Sequence, residues 1–100
     1  MHNWVNVNMG AKTTVVTIML INRNDSAEYA ARIIGSDFYV GDNSIAMNNT
    51  PCGANPQDSG VYSCGGKIGQ YLGLVKSNSD IINICQIRAY SYAANSYTNF

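Results

Sequence analysis

Polar and apolar positions alternate from Trp4 to Met9, with Val5, Val7 and Met9 on one side and Trp4, Asn6 and Asn8 on the other. That is the period of a strand with one buried face, and Gly10 is expected to end it. Thr14 to Ile21 reads TVVTIMLI, apolar and β-branched on both faces, and predicts a core strand covered on both sides. Asn22 to Asp25 is a cluster of turn formers. The SAEYAARIIG that follows it is too short for a self-sustaining helix, so the segment is read as a loop. Asp37 to Val40 predicts a short strand closed by the turn signal Gly41-Asp42-Asn43. From Gly41 to Gly60 the chain turns to Asn, Pro, Gly and Ser. So long a connection in a compact domain has to be tied down, and Cys52 is the obvious tie. Val61 to Cys64, Gln70 to Val75 and Ile81 to Tyr92 read as further strands, separated by Gly-Gly-Lys and Ser-Asn-Ser-Asp turns. Short strands at this spacing predict an all-β antiparallel sandwich or barrel. Residues 1–92 form that domain and 93–100 a loosely attached tail.

Composition narrows the function classes. The chain has 100 residues, enough for one domain. Six Lys plus Arg balance six Asp plus Glu, and charged residues are only 12% of the chain. The positive field that nucleic acids or anionic membranes attract is missing, so neither is an expected partner. Asn, Ser and Thr together supply 27 residues and carry the solubility that charge usually carries. No stretch approaches the roughly 18 apolar residues of a membrane span.

The candidate chemistry is sparse. The single histidine is His2, at the start of the chain, and no nucleophile elbow is present, so a hydrolytic triad is not expected and the chain is read as a non-enzyme. Cys52, Cys64 and Cys85 lack the paired spacing of a zinc site, and no metal is assigned. The Gly-Gly-Lys after Cys64 lacks the ending of a phosphate cradle and reads as a turn between strands. Asn24-Asp25-Ser26 and Asn48-Asn49-Thr50 are N-glycosylation sequons, making Asn24 and Asn48 the candidate sites. Cysteines in a loop-rich β domain favour an oxidising compartment, extracellular or at the cell surface. Three is an odd number, so any disulfide leaves one thiol over.

Taken in order, W-V-N-V-N-M-G (4–10), V-V-T-I-M-L-I-N-R-N-D (15–25), R-I-I-G-S-D-F-Y-V-G (32–41), Cys52, Cys64, G-Q-Y-L-G-L-V (69–75) and I-N-I-C-Q-I-R-A-Y (82–90) resemble the F-type lectins, or fucolectins. These belong to the discoidin-like, galactose-binding-domain jelly rolls. The resemblance implies an antiparallel β-sandwich, here without the family's N-terminal part. It implies carbohydrate binding, with Arg23 and Arg32 donating to the hydroxyls and ring oxygen of a fucose-like sugar and Asp25 supporting the loop. A guanidinium fork suits vicinal hydroxyls and stays charged at any physiological pH. The alternative reading keeps both arginines as solvated loop cations.

The resemblance also pairs Cys52 with Cys64 and leaves Cys85 unpaired or bonded to another polypeptide. In the family a glutamate after the last cysteine helps to bind calcium. Gln86 stands there, and a hard cation prefers carboxylates to an amide, so no cofactor is assigned. Ser26-Ala27 replaces a cysteine pair that forms an apolar platform in the family, and Tyr29 is the aromatic nearest to it. Two functions stay open. One is a carbohydrate-binding module for glycans. The other is a glycosylated structural subunit of an extracellular assembly, associating with neighbouring subunits as a homo-oligomer through the tail, where Tyr92, Tyr97 and Phe100 suit a donated strand.

Overall fold

The computed structural model describes residues 3–22, 33–76 and 84–91. Its strands are β1 (Asn3–Asn22), β2 (Ser36–Gly41), β3 (Thr50–Pro51), β4 (Gly60–Lys76) and β5 (Ile84–Tyr90), with one 3-10 turn at Ala46–Asn48. They form one antiparallel sheet in the order β3-β2-β4-β1-β5.

Two expected strand ends are corrected. Gly10 does not close a strand: β1 runs through it, and the glycine takes a φ of 87° that a side chain would resist. Likewise Val61–Cys64 and Gln70–Val75 are two halves of β4, joined through Gly65 and Gly66 at φ 72° and 80° rather than separated by a turn. The pairing of β1 with β4 slips at both places, between Asn8 and Thr13 and between Val15 and Thr17. These glycines are therefore the irregular joints of two long strands, where extra residues are accommodated and the ribbon can bend. The strand expected over Ile81–Tyr92 is observed as Ile84–Tyr90.

Bending makes the one ladder into two layers. The first half of β1 pairs with the second half of β4, which also pairs with β2. The second half of β1 pairs with the first half of β4 and with β5. The core joins the two groups: Ile18 and Leu20 of β1 pack in one cluster with Phe38 and Val40 of β2 and Leu72 and Leu74 of β4. Phe38 meets Tyr62 across the layers, ring centroids 5.7 Å apart and tilted by 49°, although Tyr62 is not a ladder partner of β2. The architecture is the antiparallel β-sandwich that the sequence predicts.

Residues 15 and 17 to 20 are buried on both faces of β1, as the apolar run implied. The alternation of the first half is not followed. Val5 and Val7 are 39% and 41% exposed, whereas Asn6 tucks inward and donates its amide to the carbonyls of Ser44 (2.9 Å) and Asn43 (3.3 Å). The physical reason is position. Among the described residues this half of β1 pairs on one side only, so its valines are flanked by β4 alone.

Candidate functional site

Arg23, Asp25 and Arg32, with Asn24 and Tyr29, fall in the connection between β1 and β2, outside the described residues. The structure gives the two ends of that connection. It leaves the sheet at Asn22, whose partner is Ile84 just past a bulge in the β1 and β5 ladder. It returns at Ile33, which is completely buried. The carbonyl of Ile33 accepts from the Ser36 backbone N–H at 3.3 Å and from the Ser36 hydroxyl, so the last step into β2 is held both by packing and by hydrogen bonds.

Beside this return point lies a concavity of about 380 Å³, lined by Gly35, Ser36, Asp37, Tyr39, Met47, Asn48, Asn55 and Val75. Its walls come from the start of β2, the 3-10 turn, the loop after β3 and the end of β4. Asp37 builds one wall. Its Oδ1 accepts from the N–H groups of Phe38 (2.8 Å), Ala54 (2.9 Å) and Asn55 (3.3 Å), and its Oδ2 from Gly53 (2.7 Å). One carboxylate thus gathers a run of backbone donors and pins the loop after β3 onto β2. Asn55 completes the curve with a φ of 49°, a left-handed conformation that Asn tolerates better than most residues.

The loop has a second tether. Cys52 and Cys64 form a disulfide with Cα atoms 4.7 Å apart, the pairing that the resemblance implied. The Cys52 N–H also donates to the Phe38 carbonyl at 2.7 Å. With its carboxylate occupied, Asp37 shapes the concavity more than it serves as an acid. The rest of the lining includes Tyr39, Asn48 and Asn55 together with the apolar Met47 and Val75. An apolar surface with a few placed polar groups suits a small molecule having a hydroxyl edge and a hydrocarbon face. Sequence reading did not single out Asp37, Tyr39 or Asn55. Their only local signal was the turn-rich stretch after Cys52, which says nothing about what it packs against.

Asn48 is exposed on the rim of the concavity, so its sequon is accessible. Cys85 occupies the extra position of the bulge in β5, between Ile84, opposite Asn22, and Gln86, opposite Ile21. Gln86 stands where the resemblance puts a calcium-binding glutamate. With its amide assigned so that the oxygen faces Arg88, it accepts from the guanidinium Nε at 2.6 Å and Nη2 at 2.8 Å.

A separate polar network secures the joint at Gly10. Asn8 Oδ1 accepts from the Gly10 N–H at 2.9 Å and from the Gln70 amide at 3.0 Å. Gln70 N–H donates to Asp42, which pairs with Lys12 at 3.0 Å. The hydrogen bond from Lys12 holds the Asp42 carboxyl below its ordinary range against the opposing effect of desolvation, helped by the charge of Lys12 and the Gln70 N–H.

No helix among the described residues is long and apolar enough to cross a membrane. No family model matches the chain, and no curated protein does. Among solved structures, the chain is similar to an F-lectin (fucolectin) from the serum of striped bass, Morone saxatilis, with a TM-score of 0.77 and 20% sequence identity. The likeness covers 95% of this chain and 34% of that one, so the chain spans about a third of the length of the lectin it matches. The sheet order, the bent long strands and this superposition together assign the chain the F-type lectin β-sandwich fold.

Proposed function

We propose that the domain, residues 1–92, is an extracellular, non-catalytic carbohydrate-binding module. Arg23 and Arg32 grip a fucose-like sugar and Asp25 supports their loop. The observation that carries this reading is the concavity beside Ile33 and Ser36, where the arginine-bearing connection returns to the sheet. Tyr39, Asn48 and Asn55 are among the residues lining it, on a lectin-like fold. Sugars are bound by such pairings, a flat apolar surface under the C–H face and fixed donors and acceptors at the hydroxyls. The disulfide and the serum origin of the matched lectin support an extracellular setting. A glycan array tests it. The expected result is binding of a terminal deoxyhexose that Arg32→Ala weakens by about 1.5–3 kcal/mol, the value of hydrogen bonds to a charged donor. Equal binding by wild type and variant, or none by either, refutes it.

The second reading is a glycosylated structural subunit that keeps the fold without the sugar site. The exposure of Asn48 favours it, because a glycan attached on the rim would occupy the concavity itself. Intact-mass measurement separates the two: Asn48 or Asn24 occupied in the secreted protein supports the structural reading.

A further inference from the structure

The sheet face that carries the concavity continues beyond it. Asp37 of β2, Val75 of β4 and Trp4 of β1 are partners in one row across three neighbouring strands. Directly opposed residues project on one face of an antiparallel sheet, with about 5 Å from each strand to the next. That face is the outer one. Asp37 and Val75 line the concavity, whereas the adjacent pair, Phe38 and Leu74, is completely buried in the core. Trp4, at the far end of the row, is 38% exposed.

The next row, Tyr39, Gly73 and Asn6, is covered by the 3-10 turn and the residues before it. A Cβ on Gly73 would lie 2.7 Å from that of Ala46, and Asn6 donates to the carbonyls of Asn43 and Ser44. Among the described residues, then, the concavity is bounded by Gly35, by Met47 and Asn48, and by Asn55, while the face runs on from Val75 to Trp4.

Its volume, about 380 Å³, is near the lower end of the roughly 300–1,000 Å³ of small-molecule sites and suits one sugar ring better than a chain of them. A longer glycan has to leave over the rim, and along this row it meets an indole, a broad flat apolar surface with a polar N–H at its edge. We infer that Trp4 is a second binding position beside the concavity, stacking under the ring linked to the one held there, so that the site takes an oligosaccharide in preference to a free monosaccharide. This rests on the sugar-binding reading above.

Trp4 is the single tryptophan of the chain, so its emission reports on this position alone. The whole protein is titrated with free fucose and with fucosyllactose, in which the same sugar is linked to further rings. Fucosyllactose is expected to bind about tenfold more tightly and to shift the Trp4 emission to shorter wavelength, as water leaves the indole. By calorimetry, Trp4→Ala is expected to bring the two affinities within about twofold of each other, and Trp4→Phe, which keeps a smaller ring, to give an intermediate ratio. Because the readout is a ratio, it holds even where only part of a variant folds. A preference that survives Trp4→Ala, equal affinities in the wild type, or an emission unmoved by fucosyllactose overturns the proposal and leaves the concavity a monosaccharide site. Binding of neither sugar refutes the sugar-binding reading itself, and this extension with it.

Discussion

Asp42 and Lys12 show what a single exposed pair contributes at this joint. Lys12 sits in the stretch of β1 between Asn8 and Thr13 that has slipped from its ladder, and its ammonium reaches Asp42 just past the end of β2. A carboxyl held low in the folded chain adds stability above its ordinary value of 3.8, and loses that contribution as pH falls through the lower folded value. Lys12→Met is expected to return the Asp42 midpoint towards 3.8, followed by NMR of its carboxyl carbon. Raising salt on the wild type is expected to move it the same way, because both groups are exposed and screened. A midpoint indifferent to both changes assigns the low value to something other than Lys12. At this scale the sequence was partly legible. The cysteine pairing followed from the family pattern, but Asp37, Tyr39 and Asn55 did not, since they meet only after segments far apart in the chain are folded together.

At the scale of elements, hydropathy located the strands but misplaced their ends. TVVTIMLI and QYLGLV are each inside a strand, as their composition predicts. Gly10 and the Gly65–Gly66 pair read as terminators because a local pattern cannot tell a turn from a joint; only the partner strand decides which it is. β3, two residues long, has no period to detect. The loop after it is an element of a different kind, held by ligation of its backbone to Asp37 and not by a ladder. Asp37→Ala removes the acceptor for four N–H groups, some open to water that can take its place. A loss of about 2 kcal/mol is therefore expected from the urea midpoint, with Asp37→Asn intermediate. Faster exchange at Gly53 and Ala54 in the same variants would tie the loss to the loop.

The 100-residue chain is small enough that single cross-links count. A domain of this size buries a modest share of its surface, and a staple closing a loop offsets part of what the core lacks. Cys52 and Cys64 are separated by 12 positions, and on the chain-entropy model closing such a ring stabilises by about 3 kcal/mol. Replacing both by Ser is expected to lower the thermal midpoint by more than 10 °C at this scale, about 4–8 °C for each kcal/mol. An unchanged midpoint would mean that the ring was already closed by other contacts. The overall class, all-β and sandwich-like, was fully legible from strand spacing and the ordered blocks. The way one ladder bends into two layers was not, because it depends on slips in register that no single strand encodes.

The double tethering of the loop after β3 bears on where this domain can work. Its disulfide needs an oxidant to form, whereas the Asp37 carboxylate beside it needs none. A chain in its thiol form is therefore expected to lose one of the two fastenings and not both, which hydrogen exchange at Gly53 and Ala54 under reductant would read. In the folded chain the Asp37 contacts to Gly53, Ala54 and Asn55 and the bond from Cys52 N–H to the Phe38 carbonyl fix the residues beside the bridge through groups that no reductant touches.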